Sequence, residues 1–173
     1  NVINKLNFRK NLNKDLMINS SDLDFSKNYK RQLKKYFINK RKSKVSILRL
    51  ATHLKEFKKI IPHVKYLKKL GYKIVINLMQ IDKVKRSSLS DVLKTLKKTN
   101  SVDVFYFADS FGNLNPANIE MICKNIKKNW KKDYGFHAHD NCGFALQNCL
   151  TAINHGAKWI DSTIQGMGRG AGN

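Results

Sequence analysis

Several shortages in this 173-residue sequence exclude whole classes of protein. It has 2 prolines and 42% hydrophobic residues, which excludes collagen-like, mucin-like and mostly disordered chains and predicts one packed domain. Its three cysteines, Cys123, Cys142 and Cys149, form no Cys-x-x-Cys pair. We therefore expect neither a disulfide framework nor a zinc ribbon, and we expect a reducing, cytoplasmic compartment. No apolar run approaches the roughly 20 residues that cross a bilayer, so no membrane partner is predicted.

Acidic residues are also scarce. Lys and Arg number 34 against 12 Asp and Glu, a formal net charge of +22, which is typical of proteins that bind nucleic acid or an anionic surface. Only seven of the basic residues lie from Ser101 onward. The rest are mostly scattered Lys accompanied by Asn and Ile, a pattern that indicates AT-rich coding more than a designed groove. Nucleic-acid binding is kept as an alternative and not as the leading prediction.

Short apolar runs of β type alternate with amphipathic stretches along the chain. This alternation predicts βα units around a parallel sheet, at the spacing of about 25 to 30 residues typical of such units. The predicted strands are Asp15 to Asn19, Val45 to Ala51, Tyr72 to Met79, Val102 to Ala108, Tyr134 to Ala138 and Lys158 to Thr163.

Four helices are predicted between these strands. The first runs from Leu54 to a stop at Gly71, and Pro62 is expected to kink or split it. A second begins near Ser88, with Asp91 completing a capping box. The others open at Asn115-Pro116 and near Phe144, the last ending at Gly156. The stretch from Ser26 to Lys44 has the least readable pattern.

Polar residues directly after the later strands are the candidates for chemistry, because active sites of parallel βα folds lie at the carboxyl ends of strands. His137 and His139 are two apart on an extended segment, so their imidazoles point to the same side, as two ligands of one metal ion require. Two hydrogen-bonded polar histidines would give the same pattern. Asp109, after the preceding strand, adds an oxygen donor, and this ligand mixture favours Mn²⁺ or Mg²⁺.

A glycine-rich run, Gly166 to Gly172, follows the last strand. It is not a Walker loop, because no Gly-Lys-Ser/Thr follows. The run predicts a backbone that approaches a ligand closely, with Arg169 meeting an anionic group. A tight turn with a surface Arg is the alternative.

Two segments together resemble a known group of enzymes: Gly135 to Gly143 (GFHAHDNCG) and Asp161 to Asn173 (DSTIQGMGRGAGN). They are similar to the metal-dependent aldolase and lyase superfamily, which includes 4-hydroxy-2-oxovalerate aldolase, HMG-CoA lyase and isopropylmalate synthase. Arg49-Leu50-Ala51, Asn77 to Gln80 and Ala108 to Gly112 also resemble family positions, closest to the aldolase branch.

The resemblance implies an α/β fold, a TIM (β/α)8 barrel, and a divalent metal that promotes carbon–carbon cleavage next to a 2-oxo acid. It assigns His137, His139 and Asn173 to the metal. It places Arg49, Asn77 and Asp109 in the pocket, with Arg49 and Asp109 as candidate catalytic residues and Asn77 as a candidate substrate-binding residue. We further expect Asp161 and Arg169 to contact the substrate and His53, at the active end, to be a candidate base, although a helix-capping or surface role would also explain His53.

The sequence also departs from the family. No Arg-Asp-Gly motif, which carries a metal-binding Asp and an enolate-stabilising Arg in the family, is present. Aligned by its motifs, the chain (1–173) is a single incomplete domain that supplies about the third to eighth barrel strands. We expect a fragment of a longer product that is inactive alone.

Two alternatives remain open at this stage, and a third is disfavoured. The same chemistry would serve a Claisen-type lyase or synthase acting on an acyl-CoA, and a non-catalytic basic remnant could bind nucleic acid. A metal hydrolase of the amidohydrolase type is disfavoured, because its His-x-His motif lies on the first strand. A homo-oligomer or a dehydrogenase partner for the aldehyde is compatible with the resemblance.

Overall fold

The computed structural model describes residues 12–168, in which six strands alternate with five α-helices. The strands are β1 (Asp15–Asn19), β2 (Ile47–Thr52), β3 (Lys73–Leu78), β4 (Val104–Ala108), β5 (Tyr134–His137) and β6 (Trp159–Ile160). The helices are α1 (Tyr29–Tyr36), α2 (Phe57–Lys69), α3 (Arg86–Thr99), α4 (Pro116–Asn129) and α5 (Ala145–Asn154). Not one of these five helices has the length and apolar character that a membrane crossing requires.

The strands form one parallel sheet whose order follows the chain from β1 to β6. This confirms the predicted βα repeat, because parallel neighbours need a crossover that is usually a helix. The predicted strands all exist, and the largest difference is at the last one. It was expected from Lys158 to Thr163 but spans only Trp159–Ile160, since only two residues of β5 pair with it.

Strands β2 to β5 are buried on both faces, which explains their nearly continuous apolar runs. Outward-facing residues such as Leu50, Ile76 and Phe107 belong to the main core with the helices. The opposite face holds a smaller apolar cluster of Ile47, Val75, Val104 and Tyr106, with Trp159 packed against it.

The sheet is strongly curved. Arg49 lies on β2 and Asp161 directly follows β6, yet Arg49 Nη1 and Asp161 Oδ2 are 2.5 Å apart. In a flat sheet these strands would be about 19 Å apart at the usual spacing, too far for the two side chains to meet. The inner face therefore encloses side chains, as the wall of a barrel does.

Helix α2 continues through Pro62, so of the predicted kink or split at this residue, the split is wrong. Phe57 and Ile60 are buried before the proline, and Val64 and Leu67 are buried after it. Tertiary packing of this face outweighs the backbone hydrogen bond that a proline cannot donate.

Helix α3 begins at Arg86, and its N-cap residue makes no side-chain capping bond. The predicted capping box of Ser88 and Asp91 is therefore wrong, and Asp91 instead lies 3.8 Å from Lys94. The helix is fixed by its buried face, which includes Leu89 and Leu93. A short polar motif inside a longer amphipathic pattern is a weak boundary signal.

The segment with the least readable pattern, Ser26 to Lys44, contains α1 and a 3-10 turn at Lys40–Lys42. Leu33 is the one fully buried residue of α1. A helix with so narrow an apolar face gives little periodic signal in the sequence.

Candidate active site

A cavity of about 830 Å³ lies at the carboxyl ends of the strands, on the inner side of the curved sheet. Each of β1 to β5 supplies residues to it, either from its end or from the loop that follows. The lining residues are Met17, Asn19, Ser20, Ser21, Ala51, His53, Lys55, Glu56, Asn77, Met79, Ala108, Ser110, His137, His139, Thr163 and Gly168. Four of the predicted site residues, His53, Asn77, His137 and His139, are therefore brought together.

His137 and His139 meet in this cavity. His137 is the last residue of β5, and its carbonyl accepts a hydrogen bond from the Asp109 backbone N–H, which ties it to the end of β4. The two imidazoles point to the same side, and their Nε2 atoms are 3.2 Å apart. Both histidines are half-buried.

The histidine pair fits a shared metal ion. At 3.2 Å the two Nε2 lone pairs can reach one ion at ordinary metal–imidazole bond lengths of about 2.1 Å. Within residues 12–168, no group of three or more His, Cys, Asp or Glu side chains could hold an ion together. A further ligand could come from another residue type, from the substrate, or from a residue outside that range.

Below the histidines, Asp161 connects His137 to Arg49. A single oxygen, Asp161 Oδ2, accepts hydrogen bonds from His137 Nδ1 at 2.8 Å and from Arg49 Nη1 at 2.5 Å. Arg49 Nε also donates to Asp15 Oδ2 at 3.0 Å, so the guanidinium lies between two carboxylates. Arg49 and Asp161 do not line the cavity. They lie beneath it.

The two carboxylates respond differently to this environment. Burial alone would raise the pKa of Asp161, but the His137 hydrogen bond and the Arg49 charge outweigh burial and lower it. Burial dominates at Asp15, whose pKa is raised despite Arg49. Asp161 has a second partner, His137, which favours its ionised form, whereas the nearby charge of Asp161 opposes ionisation of Asp15.

Tyr106 supports the guanidinium from the inner face of β4. The Arg49 guanidinium carbon lies 4.2 Å from the centre of the Tyr106 ring, a cation–π distance. Gly135 provides the space for that ring, because a Cβ atom at Gly135 would overlap ring atoms of Tyr106 and lie 2.7 Å from the Cβ of Trp159. Burial, followed by the charge of Asp161, raises the pKa of the Tyr106 phenol, so the group stays neutral.

Asn77 offers an acceptor to the cavity. It lies on β3 and is only 4% exposed. Its Oδ1 atom is buried and has no hydrogen-bond partner among the described residues. Because an unpaired buried polar atom is costly, this oxygen is suited to a hydrogen-bond donor or a cation supplied by a ligand.

His53 is on the cavity wall, just after β2, and is half-buried. Its backbone carbonyl accepts from the Glu56 N–H, in the turn before α2. Near it, the Ser20 hydroxyl donates a short hydrogen bond to Glu56 Oε2, a pair that the sequence analysis missed. Ser20 directly follows β1, so the rule of inspecting polar residues after strands, applied to the early strands as well, could have found it.

Asp109 is completely buried, and its carboxylate points into its own loop. It accepts from the backbone N–H groups of Asn113 and Leu114 at 3.2 and 3.1 Å. Burial nevertheless raises its pKa. Asp109 is not among the cavity-lining residues, and its contacts hold the loop between β4 and α4. The predicted residues Arg169 and Asn173 lie outside the described residues.

A curved parallel sheet with metal-binding residue types at the carboxyl ends of its strands is typical of enzymes with an α/β-barrel fold. Residues 22–173 match the HMGL-like family, and this chain belongs to that family. The family resemblance stated from the sequence motifs is confirmed.

Two curated relatives are the 4-hydroxy-2-oxovalerate aldolases of Carboxydothermus hydrogenoformans and Pelotomaculum thermopropionicum. They are 35% and 34% identical to this chain over 127 and 129 residues, or 73% and 75% of it. The matched region is 38% of the length of each of these relatives. The chain thus corresponds to well under half of the proteins it matches.

Solved structures support the fold. The N-terminal domain of a candidate aldolase from Bacteroides vulgatus aligns with a TM-score of 0.77 and 30% identity, covering 94% of this chain and 52% of that chain. The carboxyl transferase domain of Rhizobium etli pyruvate carboxylase aligns with a TM-score of 0.73 at 18% identity, over 88% of this chain and 27% of that one. The second similarity concerns the fold alone. The predicted α/β fold, covering part of a TIM barrel, is confirmed.

Proposed function

We propose that this chain forms part of a divalent-metal-dependent aldolase that cleaves a 4-hydroxy-2-oxo acid to pyruvate and an aldehyde. The observation that carries the proposal is the pair of Nε2 atoms 3.2 Å apart in a cavity at the carboxyl ends of the strands. The curated relatives named above give the reaction. The chain covers only part of their length, so the activity is proposed for the complete gene product.

His137 and His139 would hold the ion, and Mn²⁺ or Mg²⁺ suits a site completed by oxygen donors. When bound, such an ion polarises the 2-oxo group and stabilises the negative charge of the pyruvate enolate. The predicted contributions of Asn173 to the metal and of Arg169 to an anionic group remain part of this proposal.

Residues of the cavity would supply the remaining steps. Asn77 Oδ1 is a buried acceptor without a partner among the described residues and would accept a hydrogen bond from the substrate. A ring nitrogen of His53 would take the proton from the 4-hydroxyl group. The bond between C3 and C4 then breaks. C4 leaves as the aldehyde carbon, and the electron pair of the broken bond stays with C2 and C3 as the enolate. The protonated His53 ring would then return its proton at C3, which gives pyruvate and restores the base.

Arg49 and Asp109 are proposed here to support the site without contacting the substrate. The Arg49 guanidinium is already paired with Asp15 and Asp161, and both Asp109 oxygens accept backbone N–H groups. The predicted substrate contact of Asp161 is likewise replaced in this proposal by its contact with His137.

The test uses the product of the complete reading frame that contains these residues, supplied with Mn²⁺ and a series of 4-hydroxy-2-oxo acids. Pyruvate is measured by coupling to lactate dehydrogenase. We expect His139→Ala to reduce pyruvate release by at least about 100-fold, since even residues behind metal ligands contribute 10- to 100-fold.

His155→Ala is the matched control, because His155 lies at the end of α5, near Glu120 and outside the cavity. The proposal is overturned if the folded protein releases no pyruvate from any of these acids, or if the two histidine variants are equally active. Cleavage of an acyl-CoA substrate instead would replace it with the Claisen-type alternative.

A further inference from the structure

We infer that Arg49, Tyr106 and Asp161 form a positioning network that fixes His137 in a single tautomer, with the Nδ1 proton on the Asp161 side and the Nε2 lone pair directed toward His139. The inference concerns the same site as the proposed function and rests on it only for the consequences in metal binding. The tautomer itself is a property of the protein without metal.

One oxygen of Asp161 determines where the proton of the His137 ring lies. Because Oδ2 accepts from Arg49 Nη1 at 2.5 Å and from His137 Nδ1 at 2.8 Å, and a carboxylate has no proton to give, Nδ1 must carry the hydrogen. A neutral imidazole then has its lone pair on Nε2, the atom 3.2 Å from His139 Nε2. A carboxylate behind a histidine in this way sets ring orientation and basicity in metal sites.

Arg49 holds Asp161 in a fixed position. Arg49 is only 7% exposed, and its other contacts leave it little freedom. Its Nε atom donates to Asp15 at 3.0 Å, and its plane lies over the Tyr106 ring at 4.2 Å. Turning Asp161 away would leave a buried guanidinium nitrogen without its acceptor, which is strongly unfavourable.

The position of Arg49 separates this role from substrate binding. Its guanidinium lies below the cavity and is paired with two carboxylates, whereas a group that binds a substrate carboxylate must be accessible to it. Loss of Arg49 should therefore weaken metal binding and lower kcat, with little direct effect on recognition of the 2-oxo acid.

The experiment uses the complete product labelled with ¹⁵N at histidine. Long-range ¹H–¹⁵N NMR of the metal-free protein reports which ring nitrogen carries the proton. We expect the Nδ1–H form for His137 in the wild type and a loss of this single form in Asp161→Asn and Arg49→Met. Calorimetric titration with Mn²⁺ should show affinity reduced by about 10- to 100-fold in Asp161→Asn.

Asp103→Asn is the matched control. Asp103 also pairs with a cation, Lys68 at 2.7 Å, and accepts from a backbone N–H, but it lies at the opposite end of the strands from the cavity. It should lower stability without changing the His137 tautomer or Mn²⁺ affinity. Arg49→Lys keeps the positive charge but lacks the separate nitrogens that bond Asp15 and Asp161. It serves as the second variant if Asp161→Asn fails to fold.

The outcomes separate the two proposals. A wild-type protein with His137 protonated on Nε2, or an Asp161→Asn protein with unchanged tautomer and Mn²⁺ affinity, would overturn the positioning network. A protein with the Nδ1–H form that releases no pyruvate would overturn the proposed activity and leave the network intact.

Discussion

At the scale of single residues, Gly135 has an effect beyond its own strand. Its missing side chain leaves room for the Tyr106 ring, which in turn supports the Arg49 guanidinium at 4.2 Å. Arg49 pairs with Asp161, and Asp161 accepts from His137. A change at Gly135 should therefore reach the histidine pair through four successive contacts.

We predict that Gly135→Ala destabilises the protein by about 1–3 kcal/mol, the usual effect of adding atoms to a packed core. The new methyl group would overlap the Tyr106 ring and approach the Cβ of Trp159. Urea unfolding followed by circular dichroism measures the change. An unfolding midpoint equal to that of the wild type would contradict the described packing.

Some functional residues were predictable one by one and others were not. The two-residue spacing of His137 and His139, at the end of a strand, was enough to predict that their rings share a side. The rule of polar residues after strands found Asp109 but not the direction of its carboxylate, which points into its own loop. That direction depends on backbone N–H groups whose orientation no residue pattern encodes.

At the scale of elements, α4 has a well-defined start. The Asn115 side chain accepts from the Asn118 backbone N–H at 3.0 Å, and the Asn118 side chain accepts from the Asn115 N–H at 3.2 Å. Pro116 occupies the first helical position, where no hydrogen-bond donor is needed. This start positions the helix that follows the Asp109 loop.

We predict that Asn115→Ala lowers the free energy of unfolding by about 1 kcal/mol, the typical value of an N-cap. Asn115→Asp, which keeps an acceptor at the same place and adds a charge that the helix dipole favours, should have nearly wild-type stability. Thermal unfolding of the two variants side by side checks this. Equal losses in both would show that the side-chain cap contributes nothing.

Elements were predictable where burial was strong. Apolar runs buried on both faces predicted β2 to β5 with small errors, and α4 was signalled by Asn115-Pro116. The split predicted at Pro62 and the capping box predicted at Ser88 failed for the same reason. A local breaker or capping signal was given more weight than the buried face of the surrounding helix.

At the scale of the whole molecule, the curvature of the sheet is what makes a site. Arg49 and Asp161 are 112 positions apart in sequence and four strands apart in the sheet. No local pattern predicts that they meet, because the contact depends on the closure of the inner face. The family resemblance predicted a barrel, and so a shared pocket. It placed Arg49 in that pocket and we expected Asp161 to contact the substrate, but no feature of the sequence paired the two residues with each other.

The charge of +22 is also a property of the whole chain, but the cavity does not depend on it. The cavity is lined by Asn77, by the histidine pair and by the loops after the early strands, and its two charged lining residues, Lys55 and Glu56, carry opposite charges. The account of function therefore rests on the cavity and on the family, which covers residues 22–173.

The central claim is that His137 and His139 hold a divalent ion on which aldol cleavage depends. The most direct measurement is pyruvate release by the complete gene product before EDTA treatment, after removal of metal, and after return of Mn²⁺ or Mg²⁺. We predict that release stops when metal is removed and recovers when either ion is returned, because neutralisation of the enolate charge is what the ion supplies. Pyruvate release that continues unchanged in protein verified to be metal-free would contradict the account.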